Sequence, residues 1–205
     1  MKNYPEIIPV FPLSGVIYFP KTNLPLNVFE QRYLNLVNDA YEKNKLMGMI
    51  QSKKENGSVY KVGCLGKISD YQKSKDGRIL INLTGITRFE IIDEIVNDKL
   101  YREFKVNYKN FIEDLSENKL KIETSSLMQK AKTFFNRNGL LLNWKEFENL
   151  EQVQKINTLA MISPITNEEK QKLLETILLE EKIKTLEDII SFYLHEVNFD
   201  NQTIQ

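Results

Sequence analysis

The sequence predicts an α+β fold, with strands in its first half and helices in its second. Two observations carry this reading. Seven of the eight glycines (15, 48, 57, 63, 66, 77 and 85) and five of the six prolines (5, 9, 12, 20 and 25) precede residue 115. Both residue types punctuate strands and turns and are disfavoured inside helices. The apolar pattern also changes there, from short alternating runs to recurrence at three and four residues. Residues 1–115 are therefore read as a β subdomain with one early helix, 116–200 as a helical bundle and 201–205 as a tail.

Residues 6–13 are apolar but interrupted by Pro9 and Pro12. Proline cannot donate to a ladder, so this is predicted as an edge strand or extended loop-strand. Ser14-Gly15 reads as a turn into a strand over 16–19, ended by Pro20. Leu24, Leu26 and Val28 alternate as a half-buried strand does. A helix follows, with Asn27 as cap, Glu30 completing a capping box, and Phe29, Tyr33, Leu36, Val37, Ala40 and Tyr41 on one face. Strands are predicted over 46–50, 59–62, 66–71, 78–83, 88–95 and 101–108. Asn56-Gly57 and Asp76-Gly77 supply two-residue hairpin turns. Short strands with tight turns indicate a small barrel or sandwich.

Beyond Asp114, one helix takes in Leu120, Leu127, Ala131, Phe134 and Phe135 and stops at Asn138-Gly139. A second runs from Trp144 to Ala160, before Pro164. Thr166 and Glu169 form a capping box opening residues 167–197, which read equally as one helix or two.

Composition excludes several function classes. Lys+Arg and Asp+Glu both number 28, and only five of the cations are arginine. A neutral, arginine-poor chain is a poor nucleic-acid binder. One cysteine, Cys64, rules out an internal disulfide, and with one histidine, His195, it rules out a His/Cys metal cluster. No apolar leader follows Met1, and no run approaches the roughly 18 apolar residues of a membrane span. The expectation is a cytoplasmic chain with no membrane association. Gly63 to Lys67 has the wrong spacing for a P-loop, and neither G-x-G-x-x-G nor G-x-S-x-G occurs. No catalytic group, cofactor or metal is predicted.

Residues 8–20, with Pro9, Phe11, Pro12 and Leu13, and residues 24–34, with Pro25, Leu26, Phe29, Glu30, Arg32 and Tyr33, resemble the opening of the Lon protease N-terminal domain. Gly48-Met49, Asp76-Gly77-Arg78, Gly85 with Arg88-Phe89, and residues 169–175 resemble its later motifs, in order. The resemblance implies a PUA-like β pseudo-barrel followed by a helical bundle. It also implies a substrate-recognition role without the ATPase module and serine–lysine protease domain of full-length Lon. A non-catalytic adaptor or holdase for unfolded or flexible polypeptides follows, with a protease or chaperone as a further partner. RNA binding is the alternative, by analogy with other PUA-like barrels. Candidate polypeptide-binding residues are Val10, Phe11, Leu13, Tyr18, Glu30, Arg32, Tyr33 and Arg88. The first four would offer a groove or strand addition. The last four also have an architectural reading, as helix cap, carboxylate-paired arginines and packed ring.

Overall fold

The alternating runs of the first half form six strands: β1 (Ile7–Leu13), β2 (Asn23–Val28), β3 (Leu46–Gln51), β4 (Val62–Lys73), β5 (Ile79–Ile95) and β6 (Arg102–Asn107). Helix α1 (Gln31–Lys43) lies between β2 and β3. The structure, a computed structural model, describes residues 4–53, 57–116 and 122–200, with backbone alone for 196–200. The strands belong to the first of two units, Met1–Glu117; the second is Asn118–Gln205.

Strand β5 pairs with β4, β4 with β3, β3 with β1, β1 with β6, and β6 again with β5, so five strands close into a ring flanked by β2. Closure covers most of the edges that invite aggregation, with β2 paired on one side. Only β1 and β3 run parallel. A parallel pair needs a crossover, and here it carries β2 and α1. Helix α1 buries Tyr33, Leu36, Val37 and Ala40 and packs against β1 and β3. Its cap is Glu30, which makes no side-chain capping bond. Asn27 is instead in β2, opposite Leu80, so the predicted capping box is wrong.

Closure depends on β5. The sequence predicts two strands, at 78–83 and 88–95, but β5 runs 17 residues without a break. Residues 79–84 pair with β2, and 90–95 pair with β6. The change of partner falls at Gly85. Gly66 faces Gly85 while Leu65 faces Thr87, which leaves Ile86 as a bulge that bends the strand. A Cβ at position 85 would stand 2.3 Å from the Phe19 carbonyl oxygen. The Lys21 N–H donates to Gly85 C=O and the Gly85 N–H to Thr22 C=O, each at 2.9 Å. Residues 16–19, predicted as a strand, are irregular. Ile17, Tyr18 and Phe19 are all at most 3% exposed, and three consecutive buried side chains do not fit a strand with one wet face.

β1 is not an edge strand. It pairs with β6 over residues 7–10 and with β3 over 10–13. The Val106 N–H donates to Glu6 C=O, so main-chain groups of residues 8, 10 and 12 face the β6 side and those of 9, 11 and 13 face β3. Pro12 therefore points to where β6 has ended, and Pro9 to where β3 pairing has not begun. Neither missing N–H interrupts the ladder.

Ile8, Val10, Ile50, Leu65, Phe89, Phe104 and Val106 form a core cluster. A Ser52–Val59 bridge lies between β3 and β4; Asn56, of the predicted Asn56-Gly57 turn, lies outside the described residues. Lys73 faces Ile79, so the Asp76-Gly77 turn spans 74–78, with Gly77 at φ 88°.

After β6, the 3-10 segment Lys109–Leu115 packs on β5. Arg88 fastens it: Nε and the main-chain N–H both donate to Asp114 Oδ2 at 2.9 Å, and Nη2 to Oδ1 at 2.8 Å. The guanidinium also lies 4.5 Å from the Phe111 ring centroid. The two side chains are only 2% and 7% exposed.

The second unit contains α2 (Ser125–Arg137), α3 (Trp144–Phe147), α4 (Gln152–Ile162), α5 (Asn167–Glu175) and α6 (Leu179–Asp200). Leu127, Ala131, Phe134 and Phe135 bury one face of α2, and Gly139, at φ 66°, ends it. The predicted start of this helix near Leu120 lies outside the described residues. The single helix predicted from Trp144 to Ala160 is two. Its apolar residues recur mostly in steps of three, each about 60° short of a full turn, and the break before Glu151 realigns them. The Thr166–Glu169 capping box is present. Residues 167–197 form two helices, separated at Thr176.

Two stability outcomes follow. Arg88→Met should lower urea-unfolding stability by about 3–5 kcal/mol, because it leaves Asp114 buried and uncompensated. Arg88→Met with Asp114→Leu should recover most of that loss. Gly85→Ala should cost about 1–3 kcal/mol from overpacking against Phe19, read as a fall in the urea midpoint.

Candidate functional site

Helix α1 begins beside the C-terminal end of β1, and a cleft of about 420 Å³ opens there. Its walls are Pro12, Leu13 and Ser14 after β1, Glu30, Arg32 and Tyr33 at the start of α1, Ser52 and Gly57 from the β3–β4 connection, and Arg102 opening β6. The cleft exists because the strands are staggered. β6 begins at Arg102, opposite Val10, while β1 runs on to Leu13 with no strand on that side.

Tyr33 forms the floor. Its ring packs on Phe11, centroids 3.9 Å apart, and its hydroxyl donates to Pro12 C=O at 3.2 Å. Burial raises the pKa of the hydroxyl, with Arg32 and Arg102 pulling down and Glu30 pushing up. The Arg32 guanidinium lies 4.5 Å from the Tyr33 ring centroid, a cation–π contact that holds its position.

The two arginines are engaged differently. Arg102 forks Glu94, Nε to Oε1 and Nη2 to Oε2, both at 2.6 Å. Its Nη1 donates to Gly57 C=O at 2.9 Å. That fork holds the Glu94 pKa below the ordinary carboxylate range. Arg32 instead directs Nε and Nη2, at 3.1 and 2.8 Å, to a single oxygen of Glu30, Oε2. This pair is exposed, 55% for Arg32 and 47% for Glu30.

Of the eight predicted residues, Leu13, Glu30, Arg32 and Tyr33 come together in the cleft. Phe11 supports it from behind. Val10, Tyr18 and Arg88, each 2% exposed or less, are interior, so they shape the barrel and offer no surface. Strand addition at this end of β1 is disfavoured, since Pro12 has no N–H and its C=O is taken by Tyr33. Sequence reasoning missed Pro12, Ser14, Ser52, Gly57 and Arg102 as lining residues. No motif marks Arg102; only its register opposite Val10 brings it to the cleft. Cys64 is buried and His195 is exposed on α6. Among the described residues, no group of three or more His, Cys, Asp or Glu could hold a metal ion.

A family model described as the ATP-dependent protease La (LON) substrate-binding domain matches residues 7–191. The chain belongs to this family. Lon protease of Syntrophus aciditrophicus is 27% identical over 93% of the chain, and that of Dictyoglomus thermophilum 28% identical over 94%. The chain spans about a quarter of the length of these curated relatives, 25% in each case. A Lon N-terminal domain protein from Xanthomonas campestris shares the fold, with TM-score 0.67 and 23% identity over 88% of this chain and 96% of that one. The N-terminal domain of Mycobacterium avium complex Lon protease does too, with TM-score 0.65 and 17% identity over 90% of this chain and 98% of that one. Residues 7–191 thus correspond to the substrate-binding domain of the Lon family. The residues carrying the Lon likeness do distinct jobs: Phe11 and Tyr33 build the cleft floor, Gly85 lets β5 change partner, and Arg88 anchors the 3-10 segment.

Tyr33→Phe should cost about 0.5–1.5 kcal/mol, the worth of one hydrogen bond, and keep the ring stack. Chemical denaturation checks the value, and a circular-dichroism spectrum matching the native chain checks the fold.

Proposed function

We propose that this Lon-type domain binds unfolded or flexible polypeptide segments in the cleft at the end of β1, without nucleotide. It acts as an adaptor or holdase that presents them to a protease or chaperone. The observation that carries this reading is the cleft itself, a concave site in a domain of a substrate-binding family, with apolar walls at Pro12, Leu13 and Tyr33 beside charged groups at Glu30, Arg32 and Arg102. Such mixed lining suits a polypeptide, which presents both apolar and polar groups. Recognition runs through side chains in a groove, because Pro12 has no N–H to give a new strand and its C=O already accepts from Tyr33. The proposed location is the cytoplasm, where the single thiol of Cys64 stays reduced. No helix among the described residues is long and apolar enough to cross a membrane.

Fluorescence anisotropy of a labelled, reduced and carboxymethylated model protein, titrated with this chain in the absence of ATP, tests the reading. Saturable binding on the order of micromolar is expected. Ser14→Trp, at an exposed position on the cleft wall, should fill the site and weaken binding about tenfold or more. A flat titration up to roughly 100 μM, or native affinity in Ser14→Trp, would contradict it.

A further inference from the structure

The two arginines of the cleft differ in how firmly they are committed. Arg102 gives a two-nitrogen fork to both oxygens of Glu94 and its third nitrogen to Gly57 C=O. This is the strong, planar arrangement of the guanidinium–carboxylate pair. Arg32 crowds two nitrogens onto one oxygen of Glu30, a residue only two positions away. Both members of that pair are about half exposed. Exposed pairs of this kind contribute little net stability, so exchanging the partner is cheap. The Arg32 guanidinium also lies 4.5 Å from the Tyr33 ring centroid, a contact of similarly modest strength that biases its position and does not depend on Glu30. It is pre-positioned, with a partner that a better acceptor can displace. Leu13 and Pro12, both half-buried, form the apolar wall of the same cleft.

We infer that Arg32 is the carboxylate receptor of the cleft: it releases Glu30 and forks a carboxylate of the bound polypeptide, whose neighbouring aliphatic side chain rests against Leu13 and Pro12. The inference rests on the polypeptide-binding reading and names the chemistry that reading leaves open. Two sources supply a carboxylate beside an aliphatic group, the C-terminus of a chain and an internal Asp or Glu. Glu30 then acts as a built-in competitor, occupying the receptor when no substrate is present.

The test uses the 205-residue chain and four fluorescein-labelled decapeptides of Gly, Ser and Leu. One ends in leucine as the free acid and one as the amide. The other two are amides with a single internal Asp or Asn next to a leucine. At least one acidic peptide should bind about tenfold more tightly than its neutral counterpart, as a charge-assisted hydrogen-bonded pair allows. A gap for the free acid alone assigns the site to chain ends, and a gap for Asp alone to side chains. Arg32→Gln should abolish the gap, whereas Arg137→Gln, which removes an equal charge from the second unit, should keep it. Glu30→Gln should tighten the preferred acidic peptide severalfold relative to its neutral counterpart, an outcome that a purely structural Arg32–Glu30 pair does not give. Equal binding of acidic and neutral peptides, or an unchanged or weakened acidic peptide in Glu30→Gln, overturns the inference. If the unfolded model protein still binds in that case, only the carboxylate role falls. If neither peptide nor unfolded protein binds, the polypeptide-binding reading falls with it.

Discussion

A strand that must serve two partners in succession governs this barrel. β5 lies against β2 over its first third and against β6 over its last, and the sheet closes only because it bends between them. The bend needs a residue without a side chain where the Phe19 carbonyl presses in, and Gly85 supplies it. The bulged Ile86 then turns the strand, and just beyond it Thr87 and Arg88, on opposite faces, are both buried. Arg88 reaches Asp114 there, and the segment after β6 is tied back to the strand that carried the chain across. The hydrophobic cluster behind them adds cohesion but no direction. Apolar burial is non-directional, whereas a strand exchange at one glycine and a bidentate ion pair each specify one arrangement.

The cleft is a consequence of that closure. With β6 paired to both β5 and β1, its first residue falls opposite Val10, and the last three residues of β1 extend past it. The parallel pairing of β1 with β3 requires a crossover, and α1 within it starts at the carboxyl end of β1. A hollow forms between strand end and helix start, with Tyr33 as its floor. Phe11, Pro12 and Tyr33 meet there for mechanical reasons: ring on ring, and hydroxyl on a carbonyl beyond the start of β6. Proline at position 12 leaves that overhang unable to recruit a further strand, which keeps the site a groove for side chains.

Local chemistry made much of this legible in the sequence. Gly and Pro punctuation separated the β unit from the helical one, spacing at three and four residues found the buried face of α1, and Thr166 with Glu169 marked a true helix start. Misreadings came where a non-local contact outvoted local pattern. Residues 16–19 look like a strand but are packed under the bend of β5. Asn27 suits a helix cap, yet its pairing with Leu80 holds it in β2. Residues 78–95 carry a glycine that suggests a break, and the glycine is instead what allows continuity. The site was half visible, because Leu13, Glu30, Arg32 and Tyr33 sit in motifs. Arg102, Ser52 and Gly57 reach it only through strand register and a connecting loop, which leave no trace in nearby sequence. Val10 and Tyr18 were read as contact candidates and are interior, whereas the carboxylate-paired reading of Arg88 matches its bond to Asp114.

The groove proposed here for recognition is therefore fixed by the same strand exchange that closes the barrel. Backbone amide chemical shifts of the ¹⁵N-labelled chain, recorded as an unlabelled unfolded polypeptide is added without nucleotide, address this most directly. Perturbations should concentrate at Leu13, Ser14, Arg32, Ser52 and Arg102, and leave the outer edge of β2 unchanged. Shifts confined to β2 or to the helices of the second unit, with the cleft amides unmoved, would contradict it.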